Sequence, residues 1–441
     1  MHGSRALVAR IGWWVAYFAV IGVPLALAWR SLETAPTLAT WYSIVTGLLA
    51  FSMLVVTVVL IARLPFVVSA FGIETALLMH RLAAVTLAVL VVAHIALVLG
   101  SDPRGLTILD LTDTTAAARA AVVSTLTLTA AVLLALWRKR RQPRYEGWRL
   151  VHVTLAAITF LAAFLHIWWL NHLRATTSIA VLFDVLAIVV VLVGLRRWAW
   201  LPLRARRRQY VVEEVAPGPS SSVTLVLRAH GHRGVPFHAG QFAWLKVSSS
   251  PFAFEEHPFS IASTAHTPHR KEFTIKALGD FTSALGQLTP GRRVYLDGPY
   301  GGFTIDGLEK SPGFVFIAGG VGLTPMLSML RTLRDRGDQR RHHLVVGARS
   351  LDDLMLREEI AGLTTGLDVR VTEVIESPGE SWAGETGRID GRLLDRVLPR
   401  HARHYDYFLC GPPAMVAAVG QQLRALRIPA GRIHTERFEV V

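Results

Sequence analysis

Four histidines stand in apolar surroundings: His80 and His94 in one stretch, His152 and His166 in another, each pair fourteen positions apart. If both stretches are helical, fourteen residues return the side chain to within about 40° of its start and about 21 Å further along the axis. Each helix then offers two imidazoles to one neighbour, at two depths. Ionisable groups inside a membrane are costly and usually face a bundle interior, where they mark redox, proton or ion pathways. A lone histidine there is more often a satisfied polar core residue, but two equal spacings on two helices argue for ligation. Neutral imidazole is an axial ligand of haem iron, so the pattern predicts two b-type haems, with His80 opposite His152 and His94 opposite His166. A four-histidine zinc site needs every ligand within about 2 Å of one ion, which the separation along the helices forbids. His172 has two readings, a solvated residue or a group on the acceptor side, and Asp184 reads as a buried hydrogen-bonded residue or part of a proton path.

A second group of residues lies in short glycine-rich and aromatic motifs. His257, Pro258, Phe259 and Ser260 put an aromatic ring beside a hydroxyl, a pair that can stack on isoalloxazine and tune its reactive nitrogen. Gly279, Asp280, Phe281 and Thr282 follow, with a glycine and a hydroxyl at a helix start suited to a pyrophosphate. Next come Gly298–Gly301 and then AGGVGLTPM, with Gly319, Gly320, Gly322, Thr324 and Pro325 directly after the apolar strand FVFIA. Glycines at a strand-to-helix turn let backbone N–H groups approach a dinucleotide pyrophosphate. Cys410, Gly411 and Pro412 follow the strand YDYFL. A buried cysteine is usually inert packing, whereas at the carboxyl edge of a parallel sheet it sits where a nicotinamide ring is expected.

These residues need very different surroundings, and the chain supplies them. Of its 441 residues 52% are hydrophobic, too many for a purely soluble protein of this length. Six apolar stretches, near 11–29, 41–62, 76–99, 119–137, 150–170 and 178–195, match the length of a membrane-crossing helix. Arg5 and Arg10 before the first give it the look of a signal peptide, but five further spans favour an anchored helix. The loop WRKRRQPRYEGWR (137–149) and the segment RRWAWLPLRARRR (196–208) are strongly basic, while Gly100–Arg119 carries three aspartates. Because basic loops stay on the cytoplasmic side, both termini and everything after residue 196 are expected there, in the cell membrane of the host. The formal charge of +14 is thus that of membrane flanks, and no nucleic-acid partner is expected. A single cysteine excludes an intramolecular disulfide, a four-cysteine cluster and a C-x-x-C-H haem attachment.

The predicted organisation is a six-helix transmembrane bundle over 1–200, an antiparallel β-barrel flavin domain over 205–310 and an α/β parallel-sheet nucleotide domain over 311–441. The order and spacing of HPFS, GDFT, GPYG, GGVGLTPM and CGPPAM resemble the ferredoxin–NADP reductase family over roughly residues 205–441. With the histidine-bearing spans upstream, the whole chain resembles the transmembrane ferric reductase and NADPH oxidase superfamily, including its bacterial members. That resemblance implies FAD at His257–Ser260 with Gly279, Phe281 and Thr282, dinucleotide phosphates at Gly319–Pro325, and nicotinamide beside Cys410, Gly411 and Pro412. It also makes Phe438 the candidate aromatic covering the flavin.

The expected protein is therefore a membrane oxidoreductase passing electrons from NAD(P)H through FAD and two b-type haems to oxygen or a ferric chelate, with membrane lipid around it and no required protein partner. The alternative is a haem-bearing membrane subunit that supplies electrons to a separate periplasmic or respiratory partner. Arg349 and Ser350, after the strand HHLVVGA, favour NADPH over NADH, because an arginine there can bond an adenosine 2′-phosphate. Asp352 and Asp353 weigh the other way unless they cap the helix beginning LDDLMLREEI.

Overall fold

A computed structural model describes residues 2–30, 37–101, 110, 112–141, 145–170, 176–379 and 382–437. It divides into two compact units, Ser4–Leu201 and Pro202–Val441.

In the first unit the helices are α1 (His2–Arg30), α2 (Leu38–Ile61), α3 (Pro65–Ser101), α4 (Ala116–Arg141), α5 (Tyr145–Trp169) and α6 (Thr177–Leu195). Among the described residues six helices are long and apolar enough to cross a membrane. Gly72, at φ 75° and ψ 164°, interrupts α3, a backbone region glycine enters without a Cβ penalty. α2 runs along α3, and α4 along α5. α2 carries the buried core, with Leu48, Phe51, Leu54, Val55 and Leu60 packed inside, while Val85, Val89, Val92, Leu126 and Leu133 of α3 and α4 face outward. Outward apolar faces suit a lipid solvent, and helices satisfy every backbone donor internally, as hydrocarbon requires. Helical backbone does not stop with the last apolar stretch at residue 195: a π-helical turn follows at Arg196–Trp200 and then α7 (Leu201–Arg207).

In the second unit, β1 (Tyr210–Gly218), β2 (Ser222–Ala229), β3 (Phe242–Lys246), β4 (His257–Ser260), β5 (Arg270–Lys276) and β6 (Arg293–Tyr300) form an antiparallel sheet in the order β4-β3-β6-β1-β2-β5. The two edge strands are not paired as strands. The chain just past β4 nevertheless reaches β5, where Ala262 donates its N–H to the Glu272 carbonyl at 2.7 Å. The sheet thus curls round an apolar core that includes Leu225, Leu227, Leu245, Phe273 and Val294, and α8 (Asp280–Ala284) follows β5.

The remaining strands, β7 (Phe314–Gly319), β8 (His342–Ala348), β9 (Val369–Ile375), β10 (Glu385–Thr386), β11 (Asp406–Gly411) and β12 (Ile433–Arg437), are parallel in the order β10-β9-β8-β7-β11-β12. Helices α9 (Leu323–Asp335), α10 (Arg357–Leu363), α11 (Gly391–Val397) and α12 (Pro413–Ala425) make the crossovers. β7 continues to β8 on one side and pairs with β11 on the other. The strand order therefore reverses between β7 and β11, and the crevice beyond their carboxyl ends is where open α/β sheets bind ligands.

Candidate functional site

The four bundle histidines are all part-buried, and their rings follow a common plan. His80 Nδ1 lies 3.0 Å from the Thr57 carbonyl and His94 Nδ1 2.7 Å from that of Ser43, both on α2. His166 Nδ1 lies 2.9 Å from the Ala117 carbonyl on α4. A carbonyl only accepts, so each of these rings carries its proton on Nδ1 and its lone pair on Nε2. That is the tautomer an iron ligand needs, held by the kind of backbone bond that orients metal-bound imidazoles. His152 faces the Ala131 carbonyl outside hydrogen-bond geometry, and it stacks on Trp148 with centroids 5.2 Å apart and planes within 17°. The acceptors Ser43 and Thr57 are fourteen apart, as are Ala117 and Ala131. The histidine spacing is thus mirrored on both supporting helices. The donor set therefore fits two bis-histidine haems.

Gly47 belongs to this arrangement although its sequence context gives no sign of it. A Cβ there would lie 3.0 Å from His94 Cε1 and 3.1 Å from Nδ1. One turn beyond Ser43, it leaves the notch through which the ring reaches the Ser43 carbonyl.

In the second unit, the HPFS and GDFT motifs meet. Phe259 on β4 and Phe281 on α8 have ring planes within 10° at 6.2 Å, and His257 lies 4.1 Å from Phe281. Phe259 is half-buried and Ser260 buried, with Pro258 between His257 and Phe259 opposite Trp244 in the sheet. The Thr282 hydroxyl accepts from the N–H groups of Gly279 at 3.0 Å and Leu278 at 2.9 Å, so it closes its own turn. Behind β4, Lys246 donates to the Pro251 carbonyl at 3.1 Å and pairs with buried Glu256 at 3.4 Å, fixing the loop that delivers His257.

The nucleotide motifs converge at the switch point. β7 ends at Gly319, Gly320–Gly322 forms one 3₁₀ turn, and α9 begins at Leu323. A Cβ on Gly322 would stand 2.3 Å from the Cys410 carbonyl oxygen, and one on Gly319 2.5 Å from Met415 Sδ. Gly320, at φ +53°, has open space where its Cβ would be, so its backbone can be approached from outside. Two of these glycines thus serve close packing of β7 on β11 and one serves access. Gly411 packs against the Gly319 backbone, while Pro412 is exposed at the start of α12. Thr324 and Pro325 are buried in the first turn of α9, with the Thr324 hydroxyl 3.5 Å from the Thr274 carbonyl of β5. Cys410 is fully buried and pairs in register with Glu436 of β12, a carboxylate that motif reading passed over. Phe438 lies outside the described residues.

Arg349 is exposed just beyond β8. Asp353 is engaged elsewhere: its carboxylate accepts from the Ser350 hydroxyl at 3.0 Å and the Ser220 hydroxyl at 3.0 Å, with Lys276 at 3.6 Å. The Ser350 and Ser220 hydroxyls hold that carboxyl below its usual range. Residues 351–363 do not form one helix. A 3₁₀ turn at Leu351–Asp353 is separated from α10 by Leu356, which is left-handed at φ 59°. Elsewhere in the unit, Asp306 accepts from His238 at 2.5 Å and pairs with Arg336 at 2.7 Å, and those hydrogen bonds, His238 first, bring its carboxyl down to about 2.

Fold and site together define a histidine-bearing membrane bundle joined to a flavin and nicotinamide reductase module. Residues 46–163 match the ferric reductase like transmembrane component, 219–304 the FAD-binding domain and 316–421 the oxidoreductase NAD-binding domain. The chain is 35% identical over 234 residues to the reductase component of propane 2-monooxygenase from Rhodococcus jostii, a match covering 52% of this chain and 62% of that protein's length. To ferredoxin–NADP reductase B of Sorangium cellulosum it is 30% identical over 211 residues, covering 46% of this chain and 86% of the relative. A flavohemoglobin from Malassezia yamatoensis, solved with FAD and heme, shares fold alone at 18% identity and a TM-score of 0.50, covering 93% of this chain and 97% of that one. The chain belongs to the transmembrane ferric reductase and NADPH oxidase superfamily, with a C-terminal ferredoxin–NADP reductase-like module.

Proposed function

We propose that this protein takes electrons from NAD(P)H at its reductase module and delivers them across the cell membrane to a small acceptor, oxygen or a ferric chelate. The observation that carries the reading is the Nδ1–carbonyl anchoring of His80, His94 and His166, which prepares Nε2 lone pairs at two depths of one bundle. When bound, FAD would supply conversion of a two-electron donor into single electrons, and two b-type haems would supply one-electron carriers.

The chain's own residues do the rest. Phe259 and Phe281 offer aromatic faces to the flavin, with Ser260 beside them. The Gly320 backbone would receive pyrophosphate, the strand end at Cys410 and Gly411 would lie beside the nicotinamide, and exposed Arg349 would meet a 2′-phosphate, which favours NADPH. His80 with His152 and His94 with His166 would hold the two irons. Basic loops 137–149 and 196–208 support a cytoplasmic position for the module and both termini, where their arginines would also meet anionic lipid. A second reading has one support: the Rhodococcus relative is by name a component serving a larger system, so this chain could pass electrons to a separate protein.

The test uses the purified full chain. NADPH and NADH oxidation are measured under air and under argon, with superoxide and ferrous iron both assayed and the b-type spectrum followed. A chain without a reducible b-type spectrum, or one that NAD(P)H cannot reduce, sinks the proposal. Full haem reduction with negligible turnover on oxygen or ferric chelates would favour the partner-serving reading.

A further inference from the structure

Three of the four imidazoles are oriented by a bond to a backbone carbonyl of the neighbouring helix, and His152 is not. Its register equivalent, the Ala131 carbonyl, is at most a weak partner of the His152 Nδ1, outside ordinary hydrogen-bond geometry. What meets the ring instead is Trp148, four residues earlier on α5, where side chains one turn apart overlie each other. The rings are near-parallel, at 5.2 Å and 17°. Trp148 is in turn held by two residues of α4. Its Nε1–H donates to the Leu134 carbonyl at 3.2 Å, and the Arg138 guanidinium lies 4.4 Å from the indole centroid. Tyr145 closes the group, stacked 6.1 Å from Trp148 and 5.0 Å from the same guanidinium. Guanidinium and imidazole thus both lie against the indole ring, whose electron-rich face attracts the cation.

We propose that Trp148 is a positioning residue for His152, fixing by stacking a ring plane that the other three sites fix with a backbone hydrogen bond. The inference rests on the reading of the histidines as haem ligands. An imidazole bound through Nε2 can still turn about the bond to the metal, and the plane it adopts sets the anisotropy of a low-spin ferric centre. A carbonyl at Nδ1 stops that rotation for His80, His94 and His166. For His152 the indole face stops it, and the indole cannot tilt away without breaking the Leu134 bond and leaving Arg138. Arg138 acts one contact further out, by pressing on the indole.

The experiment is low-temperature EPR and potentiometric titration of the purified full chain, alongside haem stoichiometry. In Trp148→Leu, two haems are retained, and one of the two ferric signals shifts its g-values and midpoint potential while the other stays put. Trp148→Phe, which keeps an aromatic face, restores the native signal in large part, and Arg138→Gln gives a smaller shift of that same component. Unchanged signals in Trp148→Leu overturn the proposal, as does an equal shift of both components, which would mean that Trp148 acts through the whole bundle. If Trp148→Leu does not assemble, Arg138→Gln decides: a shift confined to one component supports the stack, and none overturns it. Wild-type protein with fewer than two haems would sink the reading of the histidines instead, leaving the two failures distinguishable.

Discussion

The bundle and the reductase module present their candidate cofactor-binding groups with opposite materials. In the bundle the candidate ligands are side chains, His80, His94, His152 and His166, and the backbone merely orients three of them. In the module the backbone itself forms the candidate dinucleotide turn at Gly319–Gly322, and the side chains around it, such as Met415, set how closely β7 and β11 approach. The difference follows from the solvent. A membrane helix has its backbone groups already paired and can offer a ligand only through side chains, whereas the turn after a parallel strand has N–H groups to spare. Damage should therefore read out differently: loss of a side-chain atom in the bundle, gain of one in the module.

The largest effect is expected from His166→Ala, or equally His94→Ala, which should remove one of the two haems while leaving FAD content and its reduction by NAD(P)H intact. Haem and flavin stoichiometry checks this, and loss of FAD from either variant would break the separation of the two regions. Next, Gly322→Ala should do by addition what those variants do by removal. Its methyl meets backbone atoms of Cys410 and Gly411 that cannot yield, and overpacking of that kind costs about 1–3 kcal/mol. NAD(P)H binding, followed by stopped-flow flavin reduction, should weaken by up to roughly a hundredfold with both haems retained. Gly47→Ala applies the same addition to the bundle at a softer target. The His94 ring can give by a few tenths of an ångström, so the haem should stay while the signal of its site alone shifts. Arg349→Ala is milder again. A charge-assisted contact is worth about 1.5–3 kcal/mol, so KM for NADPH should rise about ten- to a hundredfold and that for NADH barely change. Equal rises would assign Arg349 to the part both nucleotides share.

The smallest effect concerns acid stability of the module. Hydrogen bonds from His238 and Arg336 hold the Asp306 carboxyl at about 2, below the ordinary aspartate range, so the native state binds its proton more weakly than the unfolded chain does. Its contribution, at most about 2 kcal/mol, is present above pH 4 and is lost as pH falls through about 2. Thermal release of FAD should therefore separate wild type from Asp306→Asn at pH 6 and bring the two together near pH 2. A gap that stays constant down to pH 2 would mean the asparagine is felt through packing and not through charge.

Much of this was legible in the residues alone. Spacing of fourteen at His80/His94 and His152/His166 survives folding because a helix converts sequence distance into a face and a depth. The glycine motifs were readable for the same kind of reason, since a strand–turn–helix with an apolar strand before it has few other forms. What sequence could not convey is which atoms meet across elements. Every residue has a carbonyl, so nothing marks Ser43, Thr57 and Ala117 as the acceptors; only the packing of α2 on α3 and of α4 on α5 selects them. Gly47 is one glycine among many until His94 fills its notch, and Glu436 is an ordinary terminal acid until β12 sets it beside Cys410. The basic-looking choice between Arg349 and its neighbouring aspartates also needed the fold, which ties Asp353 to Ser220 and Lys276 from a distant strand pair. Local periodicity thus determined the spans, their histidine faces and the nucleotide turns, because each depends on residues within a few turns of one another. The tertiary structure decided tautomer, ring plane and cradle, because those depend on a single atom arriving from another element, at a distance that no spacing along the chain encodes.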